Sequence, residues 1–318
     1  MKLPVLFRRA IRVCPLVVTL LAVAGCSSLP NVSPFVVASS QLRGAVASSG
    51  QVVVTELNAA NAVPPDRAKK LAADWEARNE AFSGMVDYAN SLQAIINAGN
   101  SGAESAAQLA DSVANLASAA GIVIPGSPAA VEAGTEIVKF LSKQIAIIRA
   151  AKSLESSLVA VQPAIQNIAM NIIGDVSNLE KVMVFANALV KNDLVKRNSD
   201  QLGYRMSLQK VLATNLITAD GVFSVDDQAK LDQQVKVSAL LANTDEWYAE
   251  YEAQLNEILE RKIYALALLD SVRRTTKEWA VAHEKLVVAV KERKPVSIES
   301  LTQSAIEIEM LVKKVRDL

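Results

Sequence analysis

Most of the side chains that do chemistry are scarce in this 318-residue chain. There are two cysteines, Cys14 and Cys26, and a single histidine, His283. Nothing after Cys26 can build a disulfide framework. With no second histidine and no later thiol, a zinc site of the usual ligand kinds has no ligands to draw on. The nucleotide, nucleophile-elbow and zinc-protease patterns G-x-x-x-x-G-K-[ST], G-x-S-x-G and H-E-x-x-H are all missing. Asp220-Gly221 and Asp226-Asp227 lack the register of a calcium loop. Aromatic residues make up only 4%, and 33 basic residues face 33 acidic ones. That balance argues against nucleic-acid binding, which shows as a basic stripe. No cofactor is expected, and an enzyme is the least supported class.

What the sequence does have begins at its amino terminus. Lys2, Arg8, Arg9 and Arg12 come before an apolar run, Val13 to Val23, with no acid among them. About eleven residues are too few to cross a hydrocarbon core of roughly 30 Å as a helix. The small residues Ala24 and Gly25 then lead to Cys26, so residues 1–25 read as a secretory leader. Taken as residues alone, Cys26 could be an ordinary small residue near a conventional cleavage site. Val23-Ala24-Gly25-Cys26, however, resembles the lipobox of bacterial lipoproteins, with Val23 in the aliphatic place. The resemblance implies diacylglyceryl transfer to the Cys26 thiol, cleavage before it, and acylation of the new amino group. One acyl chain binds a membrane only marginally, whereas two or more hold it stably. In enteric-type bacteria an Asp directly after the lipidated Cys resembles an inner-membrane retention signal. Ser27 and Ser28 offer none, which implies the outer membrane and its periplasmic face. Residues 26–33 then form a tether and 34–318 the body. Without the leader the chain has 29 basic and 33 acidic residues, a charge of about −4.

The body is rich in strong helix formers. It is expected to be all-α, an elongated antiparallel bundle with long coiled-coil-like helices. A first helix starts near Ser33-Pro34, its stripe weakened by Gly44 and Gly50, with a short strand at Val52–Val54 as the rival. Pro64-Pro65 opens a second helix, to about Ala98, and an Ala-rich third covers Glu104 to Ala120. A helix from Ile137 to Ile173 is expected to kink at Pro163 and to bend or break at Gly174. The next carries Val176, Leu179, Met183 and Val190, with its weakest point at Asn198–Gly203.

From Val222 to Lys294 there is neither Gly nor Pro. Heptads written from Leu241 put Leu241, Tyr248, Leu255, Lys262, Leu269, Thr276, His283 and Val290 on one seam position, and Thr244, Tyr251, Ile258, Ala265, Val272, Trp279 and Leu286 on the other, most of them apolar. This predicts one very long helix, unless a bend hides near Asn243–Asp245. Ser297 is expected to cap a last amphipathic helix through Val315. His283, at a seam position, reads as packing, and Trp75, Trp247 and Trp279 as core or rim. Paired carboxylates such as Glu257 and Glu260 read as a solvated face.

One feature stays open between two readings. No charge falls between Asp111 and Glu132, and Gly121, Pro125, Gly126 and Pro128 interrupt the stretch. The hairpin 112–131 is either an apex buried under its neighbours or a tip, at Ile122, Val123 and Ile124, that enters a membrane or a partner's groove. Two functions follow. The first is a lipid-anchored, non-enzymatic helical scaffold in the periplasm, with the membrane and an envelope protein as partners. The second is a membrane-active protein whose architecture is loosely similar to helical pore formers of the cytolysin A type.

Overall fold

A computed structural model describes residues 30–61, 63–99, 103–120, 143–144, 146–214 and 225–317. Their regular secondary structure is entirely helical. The fold is all-α, with eight helices of sixteen residues or more among the described residues. These are α1 (Ser33–Ala59), α2 (Pro65–Asn97), α3 (Ala103–Ala120), α4 (Leu154–Arg197), α5 (Ser199–Thr214), α6 (Val225–Ala242), α7 (Asp245–Glu292) and α8 (Glu299–Arg316).

Helix α1 sits at the centre, packed against α2, α4, α7 and α8. Its start is fixed by Asn31, whose Oδ1 accepts the Ser33 N–H at 3.0 Å, and by Pro34 in the first turn. Buried positions then recur every seven residues: Phe35, Leu42, Ser49 and Glu56 on one line, Ser39, Val46 and Val53 on another. Small side chains between them let four neighbours approach. At Gly50 the approach is closest, because the Trp75 ring of α2 fills the place a Cβ would take, 1.8 Å from it. The Trp75 indole N–H donates to the Val46 carbonyl at 2.9 Å. Val52–Val54 is helix, so the strand rival is not realised.

Helices α4 and α7 run 44 and 48 residues, about 66 and 72 Å at 1.5 Å per residue. They lie antiparallel. Gln162 reaches the Ala280 carbonyl, Glu180 meets Arg273, and Asn187 reaches the Ile258 carbonyl. Of the α7 seam, Tyr251, Ile258, Ala265, Val272, Trp279 and Leu286 are buried on one line, and Leu269, Thr276, His283 and Val290 on the other, whereas Tyr248, Leu255 and Lys262 are half-buried. The seam serves a multi-helix core, since α1, α4 and α8 all pack on this helix.

Three sequence expectations are corrected, the first being that Ser297 caps the last helix: α8 starts at Glu299 with Ile298 at its cap position and no side-chain cap bond. The long element expected from Val222 is, from Val225 on, two helices, broken at Asn243–Thr244 where the sequence left a bend open. The Leu241 carbonyl accepts the Thr244 N–H at 2.9 Å, the Thr244 hydroxyl at 2.7 Å and the Arg205 guanidinium at 3.4 Å, so one local and one distant residue replace the helical ladder. Arg205 also pairs with Asp245 at 2.8 Å and lies over the Tyr248 ring. The helix expected over Ile137–Ile173 is interrupted at 151–153, and α4 begins at Leu154. There the Ser153 and Ser156 side chains cap each other's backbone N–H groups. Helix α4 then runs through Pro163 and Gly174. The carbonyl that Pro163 leaves unbonded belongs to Val159, which is exposed. Helices α5 and α6 pack chiefly on each other.

Candidate functional site

Cys26, and the tip residues Ile122, Val123 and Ile124, lie outside the described residues. Functional geometry is instead read from two buried polar clusters and two surface features of the α1–α4–α7 core.

The first cluster surrounds His283. The Tyr88 hydroxyl of α2 meets His283 Nε2 at 2.5 Å, and His283 Nδ1 meets the Gln162 side-chain oxygen of α4. A neutral imidazole satisfies both bonds, donating from Nδ1 and accepting at Nε2. Phe35 stacks on Trp279, and the Trp279 indole N–H donates to Ser39 Oγ at 2.9 Å. Burial lowers the His283 pKa from 6.5 to about 3 and pushes the Tyr88 hydroxyl above the ordinary tyrosine range. With both nitrogens taken and no solvent exposure, this imidazole has nothing to offer a substrate.

The second cluster lies about 33 Å along α7, counting from His283 to Arg261. Glu56, 2% exposed, accepts from Asn187 Nδ2 at 2.8 Å and from Arg261 Nε at 3.3 Å. Arg261 also bonds Glu257, one turn earlier on α7. This pair forms part of the floor of a groove of about 570 Å³. Along α1 the floor is made of Ala47, Gln51, Val52, Thr55 and Ala59. Val315 and Arg316, at the end of α8, form one wall. Helix α8 runs parallel to α1, with Gln41 at Glu309 and Ser48 at Arg316. It stops opposite Ser48, so the later half of α1 is uncovered on that side among the described residues.

A second surface feature lies between α4 and α7. Phe185 and Val184, 54% and 42% exposed, border a shallow depression with Ala188 and Leu266. Ile263, 61% exposed, sits one turn before Leu266 on the same face of α7. Glu180, Lys181, Asp270 and Arg273 form a charged rim.

Sequence reasoning found neither surface. Glu56 gave no signal beyond being the only charge on α1 apart from Arg43, and its burial depends on three helices meeting. Phe185 and Val184 were partly visible, as apolar residues beside the α4 stripe of Met183, Ala186 and Val190. No helix among the described residues is long and apolar enough to cross a membrane. Among them, no group of three or more His, Cys, Asp or Glu is placed to hold a metal ion. Compared with known proteins, the chain matches no family model, no curated protein and no solved structure.

Proposed function

We propose that this protein is a lipid-anchored, non-enzymatic helical scaffold on the periplasmic face of the outer membrane, which docks an envelope protein along its side. The observation that carries the reading is Val23-Ala24-Gly25-Cys26 behind a cationic, apolar leader. Ser33, the first residue of α1, lies seven residues after Cys26, a span of at most about 25 Å. An anchor at Cys26 would therefore hold the central helix of the bundle close to the bilayer. Helices of 44 and 48 residues give the body reach. The Val184–Phe185–Ile263 patch, apolar with a charged rim, has the make-up of an interaction surface.

The anchor is tested by mass spectrometry of the amino-terminal peptide and by fractionation. The wild-type peptide carries acyl chains on Cys26, and the processed Cys26→Ser chain moves to the soluble periplasm. A Cys26→Ser chain that is processed yet stays with the outer membrane would overturn the reading. Docking is tested with a photocrosslinking residue at position 185 in intact cells. One discrete adduct is expected there and none from position 313, which is exposed on α8. Identical patterns from both positions count against the patch.

A further inference from the structure

We infer that the groove beside the Glu56–Arg261 pair binds a single-chain anionic lipid, with its acyl chain along α1 and its head group at Arg316. This goes beyond the scaffold reading and does not depend on the anchor. The floor from Ala47 to Ala59 is about 18 Å long at 1.5 Å per residue, the reach of a long acyl chain. A volume of about 570 Å³ lies within the range of small-molecule sites. An α-helix is about 10 Å across with its side chains, so one laid along the same floor would stand mostly outside the groove.

The charges set the direction of the ligand. Both Glu56 oxygens are taken, one by Asn187 and one by Arg261. The carboxylate's charge is therefore countered, and Arg261, held by Glu56 and Glu257, lines the groove with its own charge engaged. Arg316 differs. Its one protein partner among the described residues is Ser48 Oγ at 3.4 Å, and no carboxylate pairs with it. Its neighbour Asp317 does not line the groove. A guanidinium that no described carboxylate pairs, beside a hydroxyl and at one end of a slot that includes Ala47, Val52, Ala59 and Val315, suits a carboxylate or phosphate head.

The test uses the full chain in lipid nanodiscs and a palmitic-acid analogue carrying a diazirine on its chain. Crosslinks mapped by mass spectrometry are expected between residues 47 and 59 and at 315–316. Val52→Trp, which fills the slot, should cut this labelling about tenfold. Arg316→Glu should cut it about fivefold, as should replacing the probe by its methyl ester. Arg316 is exposed at a helix end, so its variant keeps the test valid if the tryptophan variant fails to fold. Stronger competition by lysophosphatidate than by palmitate assigns a phosphate head, and the reverse order a carboxylate. Labelling spread over the chain, or unchanged by Arg316→Glu, overturns the inference. So does competition by zwitterionic lysophosphatidylcholine equal to that by palmitate.

Discussion

The two buried polar clusters draw on the same three helices and reach opposite electrical solutions. Around His283 the groups are neutral, and α2 closes over them with Tyr88. Around Glu56 they are charged, and among the described residues no helix covers them on the side beyond Arg316 of α8. A fully enclosed site cannot keep a lone charge, so the imidazole stays unprotonated. Beside the groove, Arg261 remains 24% exposed and brings its charge to the enclosed carboxylate. The cover decides which chemistry each cluster holds.

The largest effect should come from breaking the charged cluster on one side only. Arg261→Met leaves the Glu56 carboxylate enclosed without a counter-charge, and urea unfolding should show a loss of about 3 kcal/mol or more. Removing both charges, as Glu56→Leu with Arg261→Met, should return stability to within about 1 kcal/mol of the starting protein. If the double variant is as unstable as the single one, the ionic description is wrong.

The neutral cluster should respond to pH instead. The unfolded chain takes up a proton on His283 near 6.5, and the folded one only near 3. Stability from this group is thus complete above pH 6.5 and is lost as pH falls towards 3. The slope is about 1.4 kcal/mol per pH unit, so about 2 kcal/mol disappears between pH 6.5 and 5. His283→Gln, which cannot titrate, should be less stable at pH 7 yet lose that part of the slope. An unchanged slope would mean that the folded protein takes up the His283 proton at the same pH as the unfolded chain.

The smallest effect separates the two partners of Arg261. Glu257 is 55% exposed on the side-chain scale, and Glu257→Gln should cost less than about 1 kcal/mol in the same unfolding measurement. A loss matching that of Arg261→Met would shift the energetic weight from the enclosed carboxylate to the exposed one.

Features that spacing alone decides were legible in the sequence. The heptads of α7 marked Trp279 and Leu286 as core, and Pro64-Pro65 placed the start of α2. Legibility ended where a distant residue intervenes. Gly50 looked like a weakness in α1 and is the seat of Trp75. Thr244 looked like a seam residue, yet Arg205, thirty-nine positions earlier, helps break the helix there. His283 was assigned to packing from its seam position, but its partners Tyr88 and Gln162 come from helices whose register along α7 no spacing reports.

The sequence by itself determined the helical class, many helix starts and stops, and the apolar stripes. Those follow from local rules: 3.6-residue periodicity, proline geometry, capping and composition. Only the tertiary structure decided which helix became the centre and which polar residues were enclosed. Enclosure is a property of several surfaces meeting at one place, and a linear pattern of residues sets each surface without setting what meets it.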